Sequence, residues 1–418
     1  MSKRPRLPPG GHAQKAKWQK IDDEASTKPS ALGKLLVELW AWGDISSPMV
    51  QRIADAAVAD GATHKEVLAL QELGSHGKHL RNVHQQLVAK VSSGHLTQAV
   101  SEHKIYMKKA AGGIVFTQHT MLLPREVFST IYHCHKDVFL QRFCGGALSN
   151  IKAFWKAMRG NPAYESHPMN ISSPEHVDKC IPLSLHGDAV PVANIGRSSQ
   201  TSIEAYSFSS MLGKGSTIQN LFLIYLVYPK LVIKTATHDA YAQFMRKLTW
   251  SFYWLYKGVW PEKDEHGKPI VGGKTGYLAD GWSGVLWGLK GDLDHMAKAM
   301  GLNHYASSSA PCICCQANDT NRPWTDARES AAWRQSVWDN QGWIRQHPQR
   351  HPLFRLPGVG VLAYQPDVMH CMYLGAYQYY YGSVLKFLTH HVMTGTPSNN
   401  LEVIWERIKA YWQVIKYM

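Results

Sequence analysis

The sequence has no apolar run long enough for a transmembrane helix. Its longest uninterrupted apolar stretch is Leu221 to Tyr228, which ends at Pro229, whereas a membrane span needs about 18 residues. The amino-terminal stretch MSKRPRLPPG has basic residues but no apolar segment or small-residue cleavage site after them, so it lacks the pattern of a secretory signal. We therefore expect an intracellular protein with no membrane partner.

Cysteine is scarce, and its placement does not suit a disulfide framework. There are 7 cysteines, an odd number, and three of them crowd into Pro311 to Cys315. Secreted disulfide scaffolds have an even number of cysteines that are spread along the chain. The pattern favours free thiols or a metal site in a reducing compartment. The segment Gly272 to Thr275 also lacks the upstream glycine of a phosphate-binding loop, which argues against nucleotide binding there.

Acidic residues are too few to balance the basic ones. The chain has 45 Lys and Arg against 31 Asp and Glu, a formal charge of +14. Such an excess favours a polyanionic partner, because cations that neutralise phosphates release counterions, although solubility alone is the alternative. Six cations precede the first acid, Asp22, and are the predicted nucleic-acid-binding residues: Lys3, Arg4, Arg6, Lys15, Lys17 and Lys20. The short cluster from Lys3 to Arg6 could also direct nuclear import.

Composition and periodicity divide the chain into three parts. Residues 1–30 are basic, rich in proline and without periodicity, which predicts a flexible arm. Residues 31–165 have mainly helical patterns, such as the segment Met49 to Ala59 after Ser47-Pro48, and predict a helical accessory region. This region could hold a DNA-binding helix-turn-helix or be a plain helical domain. A linker-like stretch then precedes residues 178–418.

Strand and helix patterns alternate in this third part. Ile181, Leu183 and Leu185 alternate with polar residues up to Asp188, which is the pattern of a strand with one apolar face. The remaining segments are a buried strand from Leu221 to Tyr228, a helix from Tyr241 to Leu255, and a strand from Val285 to Leu289. This order predicts an α/β core with a mixed sheet.

Two acids stand at the ends of separate strands and are candidates for metal-dependent phosphodiester chemistry. They are Asp188 and Asp294, with Asp292 as a further candidate. Hard carboxylate oxygens hold Mg²⁺ or Mn²⁺ beside a scissile phosphate. The alternative is structural: an aspartate at a strand end can simply turn the chain, and Asp292 sits where an N-cap belongs.

Cys312 and Cys315 form half of a zinc site, because a gap of two residues lets both thiolates reach one ion. The other half must come from distant residues, and His370 with Asp367, Cys371 or His304 are chemically suitable. Cys314 could replace either named thiol. Thiols without a ligand role are the alternative.

Four motifs occur in a characteristic order: His186-Gly-Asp188, Gly291-Asp-Leu-Asp294, Cys312-Ile-Cys-Cys315 and Asp367-Val-Met-His370. The order resembles the catalytic part of CACTA-type (En/Spm-like) cut-and-paste DNA transposases over roughly residues 180–385. The D-x-x-H element after a C-x-x-C is the most specific part of this resemblance. No known family resembles the arm or the helical region before it.

The resemblance implies an RNase H-like fold with a DDE triad of carboxylates. Asp188 would be the first acid, and Asp294, before Asp292, the second. Cys312, Cys315 and His370 would belong to a structural zinc-like site with Asp367 as a ligand or an orienting residue. The implied chemistry is attack of metal-activated water on a phosphodiester at the transposon end, followed by attack of a 3′-hydroxyl on target DNA. An active transposase would be a nuclear homo-oligomer.

The third acid of such a triad has no match in this sequence. After His370 the chain offers only Glu402 and Glu406, in a segment whose helical periodicity makes both simple solvated helix residues. We expect the third acid to lie beyond Met418, which would leave DNA binding intact and strand cleavage impaired. The rival interpretation is a non-enzymatic, zinc-stabilised nucleic-acid-binding protein.

Overall fold

The computed structural model describes residues 30–41, 43–93, 101–108, 112–172, 175–192, 201–233, 235, 239–304, 306–307 and 309–415. These residues form a mixed α/β protein with a mixed sheet, as the alternating patterns predict. The chain divides into two compact units, Met1–Thr97 and Gln98–Met418. No described helix combines the length and apolarity needed to cross a membrane.

The first unit is helical. Its helices are Ala31–Ala41, Ser47–Ala59, Lys65–Gln71, Leu73–His76 and Leu80–Ser93. Their core is built from Leu36, Val50, Ala54, Val67, Leu70, Leu73, Val83 and Leu87. The second helix begins beside Pro48, as predicted, with Ser46 at the N-cap position. The hydroxyl of Ser47 instead accepts a hydrogen bond from the Trp40 indole at 2.8 Å.

The second unit opens with an antiparallel hairpin, β1 (Ser101–Lys108) and β2 (Ile114–Met121). This hairpin falls in a region that the sequence analysis described as helical. Ile105 and Met107 are buried on β1 and alternate with exposed Lys104 and Lys108, so a two-residue period was present in the sequence. Helices follow at Pro124–Cys134, Lys136–Cys144, Ser149–Ala157, Pro162–Glu165, Met169–Ser172 and His176–Lys179.

A five-stranded mixed sheet forms the centre of this unit. Its strands are β3 (Cys180–Val192), β4 (Thr201–Ser210), β5 (Phe222–Val227), β6 (Ser283–Lys290) and β7 (Tyr364–Gln365), and the spatial order is β5-β4-β3-β6-β7. β3 and β5 pair antiparallel with β4, whereas β6 runs parallel to both β3 and β7. β3 therefore lies in the middle, between an antiparallel and a parallel half.

The long helix Ala240–Lys257 packs on the sheet. Asp239 caps it by accepting a hydrogen bond from the Ala242 amide at 2.9 Å, and Gly258 ends it at a φ of 67°. Its buried face includes Phe244, Leu248, Phe252 and Leu255, with the apolar spacing that the sequence predicts. Each such side chain contributes about 1.5–3 kcal/mol through burial, so this face fixes the helix across the sheet.

Of the remaining helices, one short helix precedes β5 and the others follow β6. They are Thr217–Asn220, Leu293–Lys298, Asn340–Gln346, the wide π-type turns Met369–Ala376 and Leu388–Val392, and the helices Tyr377–Phe387 and Pro397–Ile415. The last helix covers the segment Leu401 to Val414 that the sequence predicts as helical. Four short 3₁₀ turns are Pro229–Leu231, Arg334–Ser336, Pro352–Arg355 and Val361–Ala363.

Candidate active site

The carboxyl ends of the three parallel strands meet at one edge of the sheet. The last aligned row across β3, β6 and β7 consists of His186, Lys290 and Gln365. An aspartate lies two residues after each member of this row in the sequence: Asp188, Asp292 and Asp367, respectively. Because neighbouring strands lie about 4.8 Å apart, this register brings the three carboxylates to one end of the sheet, which we call the aspartate edge.

Asp188 is the most accessible of the three. It lies within β3, opposite Ala205 of β4, and its side chain is exposed. Its neighbour two residues earlier, His186, is half-buried and shares its face of the sheet, since side chains alternate along a strand. Asp188 is therefore a carboxylate on a rigid central strand that solvent and substrate can both reach.

Asp292 and Asp294 have different surroundings, although only one residue separates them. Asp292 caps the helix Leu293–Lys298 through Oδ1, which accepts the His295 amide hydrogen at 2.6 Å. The predicted capping role is thereby confirmed, and it uses one of two carboxylate oxygens. Asp294 instead pairs with Lys298 at 2.7 Å and approaches Nε2 of His304 at 3.7 Å. Asp292 thus lies at the aspartate edge, whereas the Asp294 carboxylate faces Lys298 and His304.

The ring of His295 packs closely against the backbone next to these acids. A Cβ atom on Gly187 would lie 2.2 Å from His295 Nε2, and one on Gly291 would lie 2.9 Å from the Gly187 carbonyl oxygen. Both glycines are therefore needed for close approach. Burial lowers the pKa of His295, although Asp292 acts in the opposite direction, so the ring is neutral. The sequence patterns predict no role for His295. A glycine precedes both Asp188 and Asp292, however, and such glycines are a signal of close packing.

Asp367 and His370 form an ion pair at the same edge. Asp367 Oδ2 lies 2.8 Å from His370 Nδ1, and Oδ1 accepts the Met369 amide hydrogen at 2.8 Å. The hydrogen bond from His370 lowers the pKa of Asp367. The same bond raises the pKa of His370, and the charges of Asp292 and Asp188 raise it further. Asp367, Asp292 and Asp188 thus favour the protonated form of His370.

A cavity of about 630 Å³ opens beside the aspartate edge. Three acids, Glu204, Asp292 and Asp294, and two lysines, Lys108 and Lys298, form part of its lining, whereas Asp188 does not. Tyr241, from the first turn of the long helix, also lines it. The cavity wall therefore combines carboxylates with lysines, and the acids are in the majority.

The three clustered cysteines interact with one another. The amide of Cys314 donates to Cys312 Sγ at 3.3 Å. Hydrogen bonds from Cys314 and then Cys315 lower the pKa of Cys312 to about 5, whereas burial is the main cause that raises the pKa of Cys315 to about 11. The hydrogen bonds within the cluster thus favour the thiolate form at Cys312 over Cys315.

The predicted zinc ligands do not come together in this arrangement. Over the ranges that the structure describes, no three His, Cys, Asp or Glu side chains converge in a way that could hold a metal ion. His370 is engaged by Asp367 and stands near Asp188 and Asp292. Zinc bound by Cys312, Cys315, His370 and Asp367 stays a prediction, and no step below depends on it.

Asp188 and Asp292 carry oxygen donors of the kind that Mg²⁺ and Mn²⁺ prefer. Among the described residues no group of three such side chains could hold a metal ion, so binding of Mg²⁺ or Mn²⁺ stays a prediction. Mg²⁺ keeps several waters and is usually bound through one or two carboxylates plus substrate phosphates. Asp188 offers an exposed carboxylate, and Asp292 has an oxygen that makes no hydrogen bond among the described residues. Two such donors suit an ion that arrives together with its phosphate substrate.

The predicted nucleic-acid-binding residues Lys3, Arg4, Arg6, Lys15, Lys17 and Lys20 lie outside the described residues. Glu402 and Glu406 are exposed on the last helix, and Glu406 pairs with Lys409, which agrees with their interpretation as solvated helix residues. No family model matches the chain, and no curated protein matches it either.

Proposed function

We propose that this protein is a DDE transposase-like protein that binds DNA and cuts or joins its strands with Mg²⁺ or Mn²⁺. The observation that carries the proposal is the aspartate edge, where the parallel pairing of β3 and β6 ends at His186 and Lys290, and Asp188 and Asp292 each follow two residues later. Carboxylates held at neighbouring strand ends are the arrangement that metal-dependent phosphodiester chemistry requires.

The order of the strands supports an RNase H-like core for this protein. In such a core three antiparallel strands are followed by a helix and two further parallel strands, and the first strand lies in the centre. The sheet here has β3 in the centre, β4 and β5 on its antiparallel side, and the long helix before β6. The central strand and its parallel neighbour then carry the first two acids of the triad, here Asp188 and Asp292.

The roles of the residues follow from their surroundings. Asp188 and Asp292 would hold Mg²⁺ or Mn²⁺, which supplies water activation and charge stabilisation at the phosphate. Asp367 holds His370 through Nδ1, which leaves Nε2 as the nitrogen that can donate to a phosphate oxygen. Asp294 pairs with Lys298 at the cavity wall and has no part in the proposed chemistry.

The partners would be transposon-end and target DNA in the nucleus. The formal charge of +14 supports affinity for DNA, because phosphate neutralisation supplies sequence-independent binding. The arm cations from Lys3 to Lys20 extend this charge at the amino terminus.

A plasmid nicking assay tests the proposal with three nearly isosteric variants. Supercoiled plasmid and Mn²⁺ are incubated with the wild type and with Asp188→Asn, Asp292→Asn and Asp294→Asn. Because the sequence shows no third acid after His370, we expect slow nicking by the wild type and by Asp294→Asn, and a further loss of at least about a hundredfold in Asp188→Asn and Asp292→Asn, in the range for removal of one charge-stabilising group. Asn keeps the helix cap at position 292, so that loss would not reflect unfolding.

The contrary result is equally clear. Nicking that survives in both Asp188→Asn and Asp292→Asn would place the chemistry elsewhere. A wild type that binds plasmid with strong salt dependence but never nicks it would favour the rival interpretation, a non-enzymatic nucleic-acid-binding protein.

A further inference from the structure

The outer face of the hairpin formed by β1 and β2 carries an aromatic pair between two lysines. Phe116 lies directly opposite Tyr106 in the register, and the two rings stack with their centroids 4.4 Å apart and their planes at 28°. Lys104 and Lys108 stand two residues before and two residues after Tyr106, so all four side chains share one face. We call these four residues the hairpin platform.

The inner face of the hairpin holds the platform in place. Ile105 and Met107 of β1 are buried in the core of the second unit. On β2, His119 Nδ1 lies 2.8 Å from the hydroxyl oxygen of Tyr225 on β5. Because side chains alternate along a strand, the residues of the platform lie on the opposite face. The platform is thus mounted on a strand pair that the core fixes from behind.

The platform is more apolar than the solvent side of an antiparallel pair usually is. Phe116 is 50% exposed, and Ile114 on the same strand is 47% exposed. The solvent face of such a pair is normally polar, and β2 contains no acidic residue. A half-exposed ring that already stacks on a second ring offers a flat face to a further planar group.

The two lysines give this face its charge. Both are exposed, and Lys104 Nζ lies 6.0 Å from the centre of the Phe116 ring. Four residues of strand correspond to about 13 Å, so Lys104 and Lys108 stand on either side of the ring pair. Lysine is a point charge on a long, flexible stem and binds phosphate readily. The platform therefore combines rings for stacking with cations for phosphates.

Rings and cations in this order match the chemistry of an unpaired nucleic-acid strand. Every base has a flat face that can stack on an aromatic ring, and the backbone on both sides of the base carries phosphates. In a duplex the faces of the bases are already stacked on one another, so a ring on a protein surface cannot reach them without unstacking. An acidic peptide would satisfy the lysines but would leave the rings without a planar partner.

We propose that the hairpin platform binds an unpaired strand of DNA, with a base stacked on Phe116 and the neighbouring phosphates at Lys104 and Lys108. Lys108 also lines the cavity beside the aspartate edge, so a strand on the platform would adjoin that cavity. The inference deepens the proposed function and rests on it for the choice of DNA. Binding to the platform itself requires neither a metal ion nor cleavage.

Fluorescence anisotropy of a labelled oligo(dT) strand of about 16 nucleotides, measured in EDTA, tests the ring. Phe116→Leu keeps an apolar side chain but removes the ring. Phe387→Leu is the matched control, because Phe387 is 58% exposed on the helix Tyr377–Phe387. We expect about tenfold weaker binding by Phe116→Leu, within the range for loss of one base–aromatic stack, and wild-type affinity in the control. Circular dichroism checks that both variants fold.

The salt dependence of the same binding tests the lysines. Lys104→Gln with Lys108→Gln should reduce the slope of log affinity against log salt by about 1.4, because each phosphate contact on a single strand contributes about 0.7. Lys257→Gln with Lys386→Gln removes the same charge from exposed positions outside the hairpin, and this control should keep the wild-type slope.

Unchanged oligo(dT) affinity in Phe116→Leu would overturn the inference, and the proposed function would stand if the protein still nicked plasmid. Conversely, ring-dependent binding by a protein that never nicks plasmid would support the inference and count against the proposed chemistry. Binding that depends on the lysines but not on the ring, and that polyglutamate displaces, would assign the face to an acidic protein segment instead. Tighter ring-dependent binding of oligo(rU) than of oligo(dT) would overturn the choice of DNA in favour of RNA.

Discussion

At the scale of single residues, the choice between Asp292 and Asp294 depends on geometry. Sequence order favours Asp294, because its distance ahead of Cys312 suits the transposase pattern and Asp292 has a capping role. The cap, however, uses only Oδ1 of Asp292, and the strand register places Asp292 beside Asp188. One carboxylate can therefore serve both as a helix cap and as a metal ligand. A sequence pattern cannot distinguish this double role from a cap alone.

Substitutions at position 292 separate these two roles. Asp292→Asn retains the capping acceptor, so we expect a free energy of unfolding close to that of the wild type. Asp292→Ala removes it and should lower the free energy of unfolding by about 1 kcal/mol. Urea unfolding followed by circular dichroism measures both. Equal stability of the alanine and asparagine variants would show that the cap contributes nothing.

The contact between Gly187 and His295 predicts a steric effect. Gly187→Ala would place a Cβ atom 2.2 Å from His295 Nε2, and the shift needed to relieve this overlap should cost about 1–3 kcal/mol. Gly382 supplies the control, because nothing lies within 4 Å of a Cβ there and alanine should stabilise its helix by about 0.5–1 kcal/mol. A Gly187→Ala protein as stable as the wild type in urea would contradict this packing.

At the scale of elements, strong periodicity was a reliable guide. The strand at Ile181, the apolar run after Leu221 and the helix ending near Leu255 appear as β3, β5 and the long helix. β7 contains only Tyr364 and Gln365, which is too short to leave a pattern. The aspartate edge could not be predicted whole, because it depends on how β7 aligns with β6.

Burial was harder to predict than helix formation. Leu401, Ile404, Ile408 and Tyr411 are spaced as one face of a helix, and the helix Pro397–Ile415 is present. Periodicity indicates that a face is apolar, but it does not show what covers the face. Leu401 is 49% exposed and Tyr411 is 66% exposed, so the apolar spacing predicted the helix but not its exposure.

At the scale of the whole molecule, buried histidines predict sensitivity to acid. Burial lowers the pKa values of His103, His167 and His351 from 6.5 to about 4 each. Because these folded values lie below the unfolded value, the unfolded chain binds more protons between pH 6.5 and 4. Stability is therefore fully present above about pH 6.5 and is lost as the pH falls, by on the order of 2–3 kcal/mol at most for each of His167 and His351, and by less for the more exposed His103 because solvent screens its charge.

Urea unfolding at several pH values tests this dependence. We expect the free energy of unfolding to fall between about pH 6.5 and 4, and His167→Gln to make that fall shallower. His391→Gln, at an exposed position, is the control for replacing a histidine. A His167→Gln protein with the same pH slope as the wild type would show that His167 does not contribute.

The proposed chemistry requires that Asp188 and Asp292 together bind a divalent cation. Calorimetric titration with Mn²⁺ tests this requirement without DNA and without a complete triad, using the wild type, the Asp188→Asn, Asp292→Asn double variant, and Asp294→Asn as the control. We expect Mn²⁺ binding by the wild type and by Asp294→Asn, and loss of the binding heat in the double variant. Equal Mn²⁺ uptake by the double variant and the wild type would contradict it.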